Sequence, residues 1–389
     1  MKIKFVLGTF ILLALIHSIS CTKTDPVPTN TQGDAFFIEG KGLKKIWGMK
    51  SERRGLGSFH NGHLTYSPDG FVHMLFAYGL GSVNGAAGET FLYRKKISLN
   101  SGVATDGTFP SSAMTFSSFT EENGSCFLIP YTDKFAYRSS DIIFGEPTWL
   151  PKSGFSYYVP KIYENQQIAM SYFLDFNQKT YASYFTNGIH TASEKIIMAP
   201  NFCSSLELST AGLPLLFTAG NPTLQVHDFA NDTQLSSMSI NLFQNYTSFP
   251  PQEAKLRTKR SADGTKIIGL IIDNDHRILS YTTFIYDIAA HTFTKKIDDY
   301  ILKNTSLIVN VDMDEQGNIF YPTTQGASYQ IKKVTPAGET VVSSDFMTTG
   351  YIINVKCIDG KVFVVLSENG NSTYSDDRGK GTILLTVLE

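Results

Sequence analysis

A short turn, usually an acidic or amide residue followed by glycine, recurs along almost the whole chain with strand-like residues on either side. It reads Asp69-Gly70, Asn123-Gly124, Asp263-Gly264, Gln316-Gly317 and Asp359-Gly360, with Glu164-Asn165 and Ala211-Gly212 as variants. The interval is about 40 to 55 residues, the length of a repeat that carries one small sheet. Gly and Asn reach positive φ at little steric cost, so each site reverses the chain sharply between two strands. The recurrence constrains architecture before it says anything about ligand or chemistry.

The fifth repeat shows the unit best. Residues 255–259 lead into Ser261-Ala262-Asp263-Gly264, followed by strand-like runs at 266–272, 278–288 and 292–297. Four strand-length runs in one period are what a propeller blade requires, with the first lining the channel and the last at the rim. The first repeat follows the same plan, with residues 64–66, the turn Ser67-Pro68-Asp69-Gly70, and runs at 72–78 and 91–99. The expected fold is therefore all-β, a β-propeller of seven blades with four antiparallel strands each. A partition into six or eight blades is also compatible with the irregular second repeat and with residues 201–251. An open ring would expose two unpaired edges. The last repeat supplies residues 361–367 and 382–388 after its turn and is one strand short. Residues 36–49, with Phe36-Phe37-Ile38 and 43–47, are expected to fill the vacancy, so that an N-terminal strand closes the ring. The alternative is that they pack beneath it.

The Ser67-Pro68-Asp69-Gly70 and Ser261-Ala262-Asp263-Gly264 turns resemble the Ser-x-Asp-Gly blade turns of TolB-type propellers, where they join the first two strands of a blade. The match covers two repeats and implies a fold rather than an activity. At the N-terminus, Lys2 and Lys4 precede an apolar run at 5–16, too short to span a bilayer comfortably, and the segment ends Ser18-Ile19-Ser20-Cys21. This resembles a lipoprotein signal, with Ser18 in place of the usual leucine, and implies acylation of Cys21. Residues 1–20 are then the signal peptide. Residues 21–34, with Pro26, Pro28, Asn30, Gln32 and Gly33, are the lipidated cysteine and a tether too polar to order itself. Residues 35–389 are one propeller domain. Taken together, the chain resembles the lipid-anchored β-propeller proteins of the Gram-negative cell envelope. Its expected location is the outer membrane, facing periplasm or surface, with membrane contact only through the lipid.

A formal net charge of −2, from 33 basic and 35 acidic side chains, gives no global field toward nucleic acid, and that class is excluded. Cys126, Cys203 and Cys357 lie in apolar strand patterns and read as core residues, although an oxidising compartment leaves a Cys126–Cys203 bridge open. The sequence has no Gly-x-Ser-x-Gly elbow, Walker loop, His-Glu-x-x-His or Cys-x-x-Cys. No cofactor or metal is expected.

Candidate ligand groups follow from propeller geometry, because loops joining the second and third strands open on the same face as the links between blades. That mouth is expected to gather Arg53, Arg54 and His60, the run Asp273-Asn274-Asp275-His276-Arg277, and Tyr374 with Arg378. His60 and His63, at odd spacing, are expected on opposite faces of an extended strand. Innermost strands lean basic through Lys161, Arg257, Lys259 and Lys356, against Glu207 and Asp312. Such a lining would concentrate anionic ligands, or its members would snorkel between blades. The leading expectation is a non-catalytic binding module for a small molecule or glycan, or an accessory to an outer-membrane transporter. A glycan hydrolase or lyase with carboxylates distant in sequence is the main alternative, and a protein-interaction scaffold is the other.

Overall fold

The computed structural model describes residues 36–389 apart from 55–56, 68–69, 81–89, 107–115, 123–124, 131–136, 139–160, 164–166, 175–178, 187–188, 197–200, 221, 243–253, 276–277, 303–310, 326–327, 347–349 and 371–378. Every described element is a strand. The first, β1 (Leu43–Arg54), is followed by β2 (Gly57–Ser67), β3 (Phe71–Leu80), β4 (Thr90–Ser98) and β5 (Ala104–Asp106) as one sheet in that order. Next come β6 (Phe116–Glu122), β7 (Ser125–Pro130) and β8 (Tyr137–Arg138), then β9 (Lys161–Tyr163), β10 (Gln167–Leu174), β11 (Lys179–Thr186) and β12 (Ile189–Ile196). The fourth sheet holds β13 (Asn201–Leu208), β14 (Pro214–Gly220), β15 (Thr223–Asp228) and β16 (Thr233–Ser239). The fifth holds β17 (Lys255–Arg260), β18 (Lys266–Asp275), β19 (Ile278–Asp287) and β20 (Thr292–Ile301). The sixth holds β21 (Asp312–Met313), β22 (Ile319–Gln325), β23 (Ser328–Thr335) and β24 (Gly338–Ser343). Finally β25 (Tyr351–Ile358), β26 (Lys361–Glu368) and β27 (Lys380–Leu388) pair in series, with β1 added outside β27.

These are seven antiparallel meanders, six of four strands and one of three among the described residues. Their first strands touch in succession: β2 meets β6, β6 meets β9, β13 meets β17, β21 meets β25, and β25 returns to β2. Two steps remain: β10 of the third blade meets β13 of the fourth, and side chains of β17 bond to carbonyls at and beside β21. A strand that contacts both its successor and the last member of the series describes a closed ring, so the chain is a seven-bladed β-propeller.

All seven recurring turns fall between the first and second strands of a blade, and their local chemistry explains why. In the fifth blade Ser261 Oγ donates to Asp263 Oδ1 at 2.6 Å and accepts the Lys266 amide at 3.0 Å, while the Gly264 amide returns to Ser261 O at 2.9 Å. Gly264 has φ 68°, a conformation that a Cβ would strain. In the sixth blade Asp314 plays the serine's part, accepting the Gln316 and Asn318 amides at 3.0 and 2.8 Å. In the fourth, Ser209 accepts the Leu213 amide at 3.0 Å. The Asn123-Gly124 and Glu164-Asn165 turns lie outside the described residues, but the strands flanking them pair antiparallel.

Ring closure works as expected, with a shifted boundary. The closing strand is Leu43–Arg54, not a strand within residues 36–49, and it runs from Leu43 opposite Leu388 to Arg54 opposite Lys380. Ahead of it Phe36 packs instead, fully buried with Phe346 and Ile352, and the Ile38 amide donates to Phe346 O at 2.8 Å although the Ile38 side chain is exposed. Arg53 and Arg54 therefore end the outermost strand of the last blade rather than sitting in a link.

The core lies between blades. Of the second strands, β14 is buried throughout and β26 over Val362–Ser367, while β16, at the rim, is exposed or half-buried along its length. Large aromatics fill the wedges between sheets. Phe217, Phe284, Tyr286 and Phe293 mesh between the fourth and fifth blades, and Phe59, Phe76 and Tyr78 join Phe363 and Leu385 where the last blade meets the first. Cys203 and Cys357 are buried free thiols within these clusters.

At the rim, Glu339 on β24 fastens the fifth blade to the sixth. Tyr300 donates to its Oε2 at 2.7 Å, Tyr321 donates to the same oxygen, and Lys332 donates to Oε1 at 2.6 Å. Burial pushes the Glu339 carboxyl upward, but the Lys332, Tyr300 and Tyr321 donors outweigh it and hold the group down at about 2. Burial and that carboxylate in turn push Tyr300 up to about 12. Because the folded value lies below the unfolded carboxyl value of about 4.3, the clasp contributes fully above that pH and is lost as pH falls through about 2. Glu339→Gln should be less stable than the parent at neutral pH. The gap should shrink between about pH 4 and pH 2 in denaturant titrations, and a gap independent of pH would contradict the assignment.

Candidate functional site

The innermost strands are the elements on which candidate charges converge. Lys161 lies on β9, Glu207 on β13, Arg257 and Lys259 on β17, Asp312 on β21 and Lys356 on β25, each the first strand of its blade as expected from the turns. A first strand has one paired edge and one edge facing the channel, where unpaired amides and carbonyls need partners. Charged side chains supply them. Arg257 Nη1 donates to Val311 O at 2.7 Å, Lys259 Nζ to Met313 O at 2.6 Å and Cys357 O at 3.3 Å, and Arg260 Nη1 to Leu208 O at 3.3 Å. In the opposite sense, the Cys357 amide donates to Asp312 Oδ2 at 2.8 Å.

These bonds stitch four consecutive blades. On the fourth-blade side, Thr258 Oγ1 donates to Glu207 Oε1 at 2.8 Å and lies 2.7 Å from Ser205 Oγ. On the other side, Glu315 accepts Lys259 Nζ at 3.3 Å with one oxygen and the Gly360 amide at 3.0 Å with the other, so one carboxylate holds the fifth and seventh blades. Lys356 Nζ lies 3.5 Å from Asp312 Oδ2.

Asp312 is the hub. Burial pushes its carboxyl up, yet Lys356, Lys259 and Arg257, with the Cys357 amide, outweigh burial and hold it below the usual carboxylate value. At neutral pH it is a fixed buried anion, the reverse of the raised carboxyl that a general acid needs. Part of the basic lean of the described innermost strands thus serves contacts between blades. Lys259 is spent on carbonyls and Glu315, whereas Arg257 uses one donor of its fork and the Lys356 side chain keeps 39% of its surface exposed.

The other candidates do not join this hub. Arg53 and Arg54 end β1, three strands outward from β25, about 14 Å at ordinary sheet spacing. His60 lies on β2 opposite Ala77, and His63 is opposite Leu75, with a bulge between them that interrupts the alternation on which the opposite-face expectation rested. Asp273 is buried near the end of β18 and acts on the fourth-blade side. There burial first, and then the charge of Asp273, pushes the Cys203 thiol up. Asp275 ends β18 opposite Ile278. His276, Arg277, Tyr374, Arg378 and Cys21 lie outside the described residues. Among the described residues, no group of three or more His, Cys, Asp or Glu side chains is placed to hold a metal.

Sequence reading noted Asp312 only as a counter-charge and missed Glu315. A signal was available: Glu207, Lys259 and Asp312 each stand five residues before the turn glycines Gly212, Gly264 and Gly317, and their signs alternate from blade to blade. Equivalent positions on neighbouring first strands with opposite charge are positioned to pair.

No family model matches the chain, and no curated protein matches it. Among solved structures it is similar to the Cps50 (Swd1) β-propeller domain of Myceliophteria thermophila at 12% identity and TM-score 0.47, covering 87% of this chain and 98% of that one. The WD40 domain of SCAP from fission yeast gives 7% identity and TM-score 0.46 over 89% and 98% of the two chains. The polysaccharide lyase Uly1 gives 7% and 0.44 over 88% and 99%. At such identities and scores the likeness carries no activity across, and the propeller assignment rests on the seven sheets and their closed ring.

Proposed function

We propose that the protein is a non-catalytic binding module of the Gram-negative envelope, anchored by a lipid on Cys21, which holds a small molecule or glycan at the channel of the propeller or serves an outer-membrane uptake system. The observation that carries the reading is the state of Asp312: a carboxylate kept ionised and fully engaged presents fixed charge, not a proton to transfer. The envelope setting rests on Lys2, Lys4, the apolar run at 5–16 and Ser20-Cys21.

Binding is tested on residues 35–389 by thermal shift against neutral and acidic glycans, phosphates and metal chelates. A ligand that favours the native state raises the melting temperature by mass action, by about 2.7 kcal/mol of stability at a hundredfold excess over Kd. Turnover of any glycan, abolished by one carboxylate substitution, would replace this reading with the enzyme. For the anchor, the full chain should incorporate labelled palmitate and partition with membranes, and Cys21→Ala should do neither. A full chain that takes up no label, or a Cys21→Ala variant labelled as well as the parent, would contradict lipidation.

A further inference from the structure

Three cations and two carboxylates meet where the innermost strands of the fifth, sixth and seventh blades converge: Arg257, Lys259 and Lys356 against Asp312 and Glu315. The set does not balance, and the excess positive charge sits on particular atoms. Lys259 is consumed by Met313 O, Cys357 O and Glu315. Arg257 has one hydrogen bond, to Val311 O, and its charge acts on Asp312, while no further hydrogen bond of its guanidinium fork is made among the described residues. Lys356 has Asp312 alone, at 3.5 Å, with its side chain 39% exposed. Asp312 is 3% exposed and anchored by the Cys357 amide, so it pairs with Lys356 and its charge acts on Arg257 without itself facing solvent.

Resting on the binding reading above, we infer that Arg257 and Lys356 form an oxyanion-recognising pair, which takes a carboxylate or phosphate group of the ligand at the channel. An arginine fork with free N–H donors matches two oxygens of such a group, and a partly hydrated ammonium gives up water to a charged acceptor. The neighbouring fixed carboxylate pre-orients the cations, so little side-chain freedom is lost when the anion arrives. Low-dielectric walls strengthen the residual field over what the same charges give in open water.

The test uses residues 35–389 and two probes, citrate and inorganic phosphate, with a neutral oligosaccharide beside them, followed by calorimetry at two salt concentrations. Saturable binding of either anion should weaken at least tenfold in Lys356→Met and in Arg257→Lys, which keeps charge but loses the fork, and should weaken with added salt. Which anion binds more tightly separates a carboxylate from a phosphate ligand. Lys356→Met removes the ion pair of buried Asp312 and is expected to lower the unfolding midpoint, so binding by both variants is compared at a temperature where each is folded. Anion binding indifferent to both substitutions overturns the pair. Binding of the neutral sugar alone overturns it while leaving the binding module standing, and no binding of any probe counts against both.

Discussion

A chain lacking residues 1–54 is expected to lose its cooperative fold, although every strand from β2 to β27 would still be encoded. β1 is the fourth strand of the last blade, and its removal bares the β27 edge along its length. It also deletes Leu43, fully buried, and Ile46, Trp47 and Met49, which pack against the cluster joining the last blade to the first. At about 1.5 to 3 kcal/mol for each large apolar side chain fully buried, discounted for partial exposure, the loss is on the order of 5 kcal/mol. Whole-protein stability is commonly about 5 to 15 kcal/mol. The truncated protein should therefore aggregate or melt without cooperativity, whereas one lacking only residues 1–34 should melt sharply. Adding a peptide of residues 36–54 should restore part of the transition by strand addition to the bare edge. A truncated protein that unfolds cooperatively at nearly the same denaturant concentration as the body would show that β1 does not close the ring.

The second large effect is expected inside the fifth blade, at Gly269 on β18. Gly269 lies directly opposite Phe284 on β19, and a Cβ built on it would fall within the Phe284 ring. The ring cannot simply move aside, since it is fully buried and meets Phe217 and Phe293 at centroid distances of 6.0 and 5.5 Å. Overpacking commonly costs about 1 to 3 kcal/mol, and an inflexible neighbour places Gly269→Ala at about 3 kcal/mol or beyond. Phe284→Ala alone should cost about 3 to 5 kcal/mol through the cavity it leaves. The added methyl then occupies part of that cavity, so the double variant should be more stable than the sum of single effects by at least about 1 kcal/mol. Strict additivity in denaturant unfolding would mean that the two residues do not share this space.

What the sequence made legible is what local chemistry decides. Positive φ at glycine, with a serine or aspartate to accept the returning amides, is a property of a few adjacent residues. The Ser67 to Gly70 and Ser261 to Gly264 turns are accordingly legible as joining the first two strands of a blade, and the other five fall at the same place in theirs. Hairpins fix register, so Glu207, Arg257, Lys259, Asp312 and Lys356 could be put on innermost strands before any coordinates. Partners across blades were another matter. Whether Lys259 reaches Cys357 O, 98 residues away, depends on how three sheets fan around an axis, which no local pattern encodes. Bulges caused the remaining differences. The one between His60 and His63 interrupts alternation, and those at Lys45/Trp47 and Lys50/Arg54 place residues 43–54 of β1 against the shorter run 380–388 of β27. Among the described members of the basic lining, Lys259 serves the carbonyl edges of neighbouring strands, while Arg257 and Lys356 keep donors to spare.

The seven-bladed ring and all positions assigned to its channel depend on β1 lying against β27 in the stated register. Lys44 stands opposite Val387 there, near the start of the closing strand. Directly opposed residues of antiparallel strands have Cα atoms about 4.5 to 5.5 Å apart, within the span of a disulfide. In residues 35–389 carrying Lys44→Cys and Val387→Cys, mild oxidation should give an intramolecular bridge in monomeric protein, seen by mass after proteolysis. The off-register pair Lys44→Cys and Lys380→Cys, the latter at the far end of β27 opposite Arg54, should give none. Bridging of the off-register pair, or of the first pair only between molecules, would contradict the closed ring.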